Sequence, residues 1–88
     1  MPQLKNLMEE LVINSLEDVL KDINMCKCET CVTDITAIAL NSLPPKYIVT
    51  QVGELYSKSD LLRQQFEVDI ISAITKAAVI VKRNPRHS

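Results

Sequence analysis

The chain has 88 residues, with ten Lys and Arg against eleven Asp and Glu, and a formal net charge of −1 at pH 7. This length supports a single domain, residues 1–88, and excludes a multidomain enzyme. The balanced charge excludes a basic field that would recruit nucleic acid directly through its phosphates. Apolar residues make up 47% of the chain and aromatic residues only 3%, which favours aliphatic helix packing and predicts an all-α fold.

The first predicted helix covers residues 2–23. Its apolar residues recur at steps of three and four, which is the period of an amphipathic helix, and Pro2 suits a first helical turn. Adjacent apolar pairs such as Leu7 and Met8 widen the stripe beyond what one neighbouring helix needs. We therefore expect this helix to contact two neighbours.

The second predicted helix covers residues 29–42, where apolar side chains occur on nearly every side, as in a buried central helix. Residues 43–45, Leu-Pro-Pro, end it, because proline lacks the N–H and disfavours helical backbone in the residue before it. The β-branched segment at residues 46–53 favours extended backbone. Because the sequence offers no evident second strand, we expect an extended connector, or one that pairs with its copy in a dimer, and no sheet within the chain.

The third predicted helix covers residues 57–82. Ser57 and Asp60 have the spacing of an N-terminal cap, and Asn84 with Pro85 ends the helix. Its apolar stripe is longer than a chain of this size can cover by itself. We therefore expect a symmetric homodimer in which the third helix, and with it the first, packs across a two-fold axis. The residues of the stripe are Leu62, Phe66, Ile70, Ala73, Ala77 and Val81.

Three cysteines, Cys26, Cys28 and Cys31, lie within six residues. A secreted disulfide scaffold would spread an even number of cysteines along the chain, and no signal peptide or membrane span is evident, so we expect a cytoplasmic protein without membrane contact. Thiolates are good zinc ligands, and a helix start favours the deprotonated form of Cys28 and Cys31. The spacing therefore predicts a structural zinc site. The alternative is a set of buried or redox-active thiols, including a disulfide between Cys28 and Cys31.

Three sulfurs leave a closed zinc site one ligand short. His87 is the only imidazole, and a tail near the C-terminus can fold back onto the cysteines of its own chain or of a partner; the alternative is a terminal residue without a ligand role. Asp34, three residues after Cys31, is a weaker candidate, since acidic residues in the first helical turns commonly serve the helix dipole. No base is paired with a nucleophile, so we expect no enzymatic activity.

The run C-K-C-E-T-C at residues 26–31, followed by D-I-T-A-I-A-L-N-S-L-P-P-K-Y at residues 34–47, resembles the signature of the late competence development protein ComFB family. The resemblance continues through Gly53, Tyr56 and the third helix to the N-P-R-H end at residues 84–87. It implies a small helical homodimer with a cysteine-bound zinc on each subunit. Family members in which a late cysteine completes the site differ from this chain, which has none, and that difference favours His87 as the fourth ligand.

The resemblance also implies a receptor for the second messenger cyclic di-GMP. A guanine offers O6 and N7 to an arginine, donors to a carboxylate and a ring face to a tyrosine, while the two phosphates attract cations. Without the resemblance, the arginines of this set would be interpreted as solvated helix ends. The candidate ligand-binding residues are Lys46, Tyr47, Tyr56, Asp60, Arg63, Arg83 and Arg86.

Two of these candidates carry the hypothesis about where the ligand binds. Two prolines fix the backbone that enters Tyr47, which makes its ring a rigid stacking platform, and Arg63 can reach a guanine edge or a phosphate from the start of the third helix. The alternative is that Tyr47 packs under the connector and Arg63 pairs with Glu67.

The function that we expect is a zinc-binding receptor that passes cyclic di-GMP occupancy to an unidentified protein partner. The alternative function is a zinc-stapled dimeric adaptor of the competence type, which binds protein and no nucleotide. The family name alone does not establish a role in DNA uptake.

Overall fold

The computed structural model describes residues 3–50 and 52–85, with the side chains of residues 3–49 and 64–85. The described fold is mostly helical, with three helices and one small sheet, so the predicted three helices are confirmed and the all-α class needs a correction. None of the helices in this part of the chain is long and apolar enough to cross a bilayer. In chain order the elements are β1 (Gln3–Asn6), α1 (Leu7–Leu20), α2 (Glu29–Ser42), β2 (Tyr47–Thr50) and α3 (Val52–Arg83).

The small sheet joins residues 3–6 to residues 47–50. β1 pairs antiparallel with β2, with Leu4 opposite Val49 and Asn6 opposite Tyr47. The prediction of an extended connector without a partner strand within the chain was therefore wrong. Pairing with β1 satisfies backbone groups that a lone strand would leave open.

Helix α1 begins at Leu7, so the prediction of a helix from residue 2 was also wrong. The reason is Asn6, whose backbone is extended (φ −85°, ψ 105°) and whose side-chain Oδ1 accepts a hydrogen bond from the Met8 N–H at 3.2 Å. An N-terminal cap residue has non-helical backbone and marks the point where the helix starts, so residues before Asn6 do not belong to α1. As expected, α1 contacts two neighbours, α2 and α3.

Helix α2 has the predicted bounds, but it is not buried on all sides. Only Cys31, Ile35 and Ala39, at steps of four, are buried, and Ala37 is exposed. The helix is therefore amphipathic, with one buried face. Some of its small apolar residues, such as Ala37, face solvent instead of the core. It ends at Ser42, where Leu43 turns to extended backbone (φ −102°, ψ 138°) ahead of the two prolines.

Helix α3 begins at Val52, five residues before the predicted cap at Ser57, and ends at Arg83. The apolar stripe is confirmed over the described side chains, with Phe66 half-buried at its start, while Leu62 lies outside them. Two further residues widen the stripe, which packs against both α1 and α2. The buried residues of α3 are Ile70, Ala73, Ile74, Ala77, Ala78 and Val81.

Candidate metal centre and ligand-binding surface

The cysteine loop, residues 21–28, joins α1 to α2. Helix α1 ends with backbone hydrogen bonds from Lys21 N–H to Glu17 O and from Ile23 N–H to Leu20 O, each 3.0 Å long. Helix α2 then starts with Cys28 as its N-terminal cap residue (φ −69°, ψ 165°). Cys31 consequently lies in the first turn of α2, as the sequence predicted.

The three cysteine sulfur atoms form a compact group. All of them lie within 4.8 Å of one another; Cys26 and Cys28 are exposed and Cys31 is completely buried. Tetrahedral zinc with bonds of about 2.3 Å holds its sulfur ligands roughly 3.8 Å apart. Small side-chain rotations therefore bring the three sulfurs to metal-binding distance.

The surroundings of Cys31 keep its thiol protonated, so the expectation that the helix start favours its deprotonated form was wrong for this residue. Burial raises the pKa of the Cys31 thiol from 9.0 to about 12, and hydrogen bonding and charge from Cys28 and Cys26 act in the same direction. Three thiolates this close repel one another unless a positive ion compensates them. Thiolate ligands select soft and borderline cations, so this group can hold a metal ion.

The fourth ligand is not supplied by the described residues of this group, which contains three thiols and neither a carboxylate nor an imidazole. The weaker candidate, Asp34, instead lines a cleft of about 280 Å³ together with Ile80 and Asn84. The end of α3 therefore lies beside the second turn of α2. The stronger candidate, His87, lies outside the described residues.

Lys46 and Tyr47, two of the predicted ligand-binding residues, lie side by side at the start of β2. The Lys46 N–H donates to Asn6 Oδ1 at 3.0 Å, and the Lys46 carbonyl accepts from Leu7 N–H at 2.7 Å. The Lys46 ammonium lies 5.7 Å from the centre of the Phe66 ring. Tyr47 is 63% exposed, so the alternative in which it packs under the connector was wrong.

Two adjoining clefts border the Pro44 turn, and we call them together the proline groove. One cleft, of about 250 Å³, lies between Pro44, Lys46 and Asp69, and the other, of about 360 Å³, lies between Pro44, Asp69 and Lys76. Sequence reasoning missed Asp69 and Lys76 because nothing in the chain pattern links them to residue 44. Only the packing of α3 against the turn brings these charges together.

The remaining candidates do not join Lys46 and Tyr47 within the described structure. Arg83 is exposed at the end of α3, seventeen residues after Phe66, and a rise of about 1.5 Å per residue places it roughly 25 Å along the helix from Phe66, over whose ring the Lys46 ammonium lies. Arg86 lies outside the described residues. Tyr56, Asp60 and Arg63 belong to the part of α3 whose side chains lie outside the described set.

Comparison with known proteins identifies the family. The family model described as late competence development protein ComFB matches residues 5–85 of this chain. The competence protein ComFB of Bacillus subtilis (strain 168) is 25% identical, with 85% of this chain and 86% of that protein covered. The solved structure of the late competence protein ComFB from Bacillus subtilis superposes with a TM-score of 0.80 at 26% identity, covering 96% of each chain. These matches confirm the resemblance carried by residues 26–47, and the chain belongs to the late competence development protein ComFB family.

Proposed function

We propose that this ComFB-family chain is a non-catalytic cytoplasmic signalling protein that holds one structural zinc ion per chain, binds cyclic di-GMP as a homodimer and passes occupancy to a protein partner. The observation that supports ligand binding is the exposed ring of Tyr47, which directly follows Lys46 in the chain. Lys46 lines the proline groove together with Lys76 and Asp69, so a stacking surface, two ammonium groups and a carboxylate lie near the start of β2.

Each of these groups matches a part of cyclic di-GMP. A purine stacks on the ring of Tyr47, which β2 and the preceding prolines hold in place at low entropic cost. The carboxylate of Asp69 accepts from the Watson–Crick donors of guanine, and the ammonium groups of Lys46 and Lys76 pair with the phosphates.

We extend this proposal to three predicted ligand-binding residues near the start of the third helix. Tyr56, Asp60 and Arg63 follow one another at steps of four and three, a spacing that keeps residues on one side of a helix. We assign them, with Arg83 and Arg86, to ligand contacts that a two-fold symmetric dimer supplies in pairs to a two-fold symmetric ligand.

Titration calorimetry with cyclic di-GMP tests the receptor function. Tyr47→Ala and Arg63→Ala should each weaken binding roughly 5- to 150-fold, because losing a stacking or bidentate contact costs about 1–3 kcal/mol. Tyr47→Phe keeps the ring and should bind within about threefold of the unmodified chain. Ile13→Ala, an exposed position on α1, serves as a matched surface control. Unchanged affinity in both alanine variants, with the dimer intact, would refute the placement.

The homodimer proposal rests on a second apolar face of α3. Val68, Ile71 and Val79 are 79%, 42% and 44% exposed; Val68 and Val79 lie across the helix from the buried residues of the stripe, and Ile71 lies at its border. An apolar helix face of this length needs a partner in water, and a second copy presents the same face.

That same face also favours the second candidate function, a zinc-stapled dimeric adaptor that binds protein and no nucleotide. The two functions separate in the calorimetric experiment. A zinc-loaded dimer that produces no heat with cyclic di-GMP would leave the adaptor as the supported function.

The proposed zinc site uses Cys26, Cys28 and Cys31, with His87 as the fourth ligand. Helix α3 ends beside Asp34, which is one helical turn beyond Cys31. Three residues of extended chain span roughly 10 Å, and we propose that this length brings His87 from Asn84 to the cysteine group.

A further inference from the structure

We infer that a hydroperoxide oxidises the cysteine group to a disulfide between Cys28 and Cys31, which releases the metal and leaves Cys26 as a thiol. The inference rests on the metal centre proposed above, and it adds a redox control to that centre. The cluster would then respond to oxidants independently of any nucleotide ligand.

The geometry favours this pair of cysteines. Cys28 is the exposed cap residue of α2, and Cys31 is the buried residue of its first turn. The Cys31 thiol is hydrogen-bonded to both Cys28 and Cys26, and all three sulfurs lie within 4.8 Å of one another, so contact alone does not select the pair. Cys28 is the partner that belongs to the same helix start as Cys31. A bridge between them closes across one helix start, whereas a bridge from Cys26 to Cys28 would enclose a single residue in a strained ring.

The difference in solvent exposure between Cys28 and Cys31 indicates which of the two reacts first with the oxidant. Cys28 is open to a peroxide in solvent, while Cys31 is completely buried and is therefore shielded from direct attack. Reactive thiols that sense oxidants are accessible and have a resolving thiol next to them. Cys28 is accordingly the residue oxidised first, and Cys31 is the residue that resolves it.

The reaction has two balanced steps. The sulfur of Cys28 attacks an oxygen of hydrogen peroxide, so that an S–O bond forms, the O–O bond breaks and hydroxide leaves as water, with a proton from the thiol or, where the metal holds the sulfur as a thiolate, from solvent. The sulfur of Cys31 then attacks the sulfur of Cys28, so that the S–S bond forms, the S–O bond breaks and a second water leaves with a proton from the same source. The two thiols lose two electrons in total, and the hydroperoxide is reduced by two.

The consequence for the metal follows from charge. A disulfide carries no negative charge and is a poor ligand, so a cation in this group would keep only one of its three sulfur ligands. Cys26 would then lose its metal-mediated link to α2, while Cys31 stays in the hydrophobic core. Reduction by a thiol restores both cysteines and the site.

Mass spectrometry of the zinc-loaded full chain tests the proposal. Hydrogen peroxide should release zinc to a chromogenic chelator and lower the mass by about 2 Da, for two hydrogens lost, and dithiothreitol should reverse both changes. Trypsin cuts after Lys27, so a disulfide between Cys28 and Cys31 stays inside the peptide of residues 28–46, and Cys26 is alkylated in the separate peptide of residues 22–27. Cys26→Ser should keep the disulfide, and Cys28→Ser should lose it.

Two results would overturn the inference. One is a cross-link between the peptides of residues 22–27 and 28–46, which would pair Cys26 instead. The other is full alkylation of all three cysteines after peroxide treatment. Isolation of a chain without zinc would instead contradict the proposed metal centre, and the peptide map of that metal-free chain would still decide the disulfide pairing.

Discussion

Replacement of Asn6 by alanine tests the two hydrogen bonds that connect the start of α1 to the turn after Pro44. One side-chain oxygen of Asn6 accepts hydrogen bonds from two backbone N–H groups, at Met8 (3.2 Å) and at Lys46 (3.0 Å). The first bond caps α1, and the second ties the turn that presents Tyr47 to the start of that helix. Asn6→Ala removes both bonds at once.

The expected cost follows from the surroundings of the two bonds. Loss of an asparagine cap costs about 1 kcal/mol. The bond to the Lys46 N–H is exposed, so water partly replaces it, and its loss adds about 0.5–1 kcal/mol. The free energy of unfolding should therefore fall by about 1.5–2 kcal/mol, which lowers the melting temperature of a chain of this size by roughly 6–16 °C.

Thermal and urea unfolding at one fixed protein concentration measure this effect, since concentration alters the stability of a dimer. Asn6→Asp keeps the acceptor and should lie within about 0.5 kcal/mol of the unmodified chain. Asn14→Ala, an exposed position on the same helix, should be neutral or slightly stabilising. An Asn6→Ala chain as stable as the control, or an Asn6→Asp chain as unstable as Asn6→Ala, would contradict the capping role of Asn6.

Two further predictions concern the dimer and the metal. Val68→Asp should convert the dimer to a monomer in light scattering, because it buries a charge in the second apolar face of α3. Gln65→Asp on the same helix should leave the chain dimeric. A dimer in both variants would contradict the assignment of this face. His87→Ala should weaken zinc binding by roughly tenfold or more in a chelator competition assay, since a direct ligand matters at least as much as its supporting groups, and His87→Cys should restore it; equal affinity in all three chains would exclude His87 as a ligand.

The candidate site divides into a part that the sequence predicts and a part that it cannot. The cysteine group was predictable because its three residues lie within one loop and one helix start, where chain connectivity alone keeps the sulfurs close. The proline groove was not, because Asp69 and Lys76 are more than twenty residues from Pro44 in the chain. A local sequence pattern does not predict which turn of a long helix packs against a proline that is distant in the chain.

Elements with local signals can be predicted from the amino-acid sequence. Prolines end α2 after Ser42, and steps of three and four select the buried face of α3 from Ile70 to Val81, because both depend on neighbours within a few residues. Residues 3–6 form a strand because of a long-range contact in the folded chain. Their pattern also continues the helical stripe that follows, and only pairing with Tyr47–Thr50, more than forty residues away, satisfies their backbone groups as a strand.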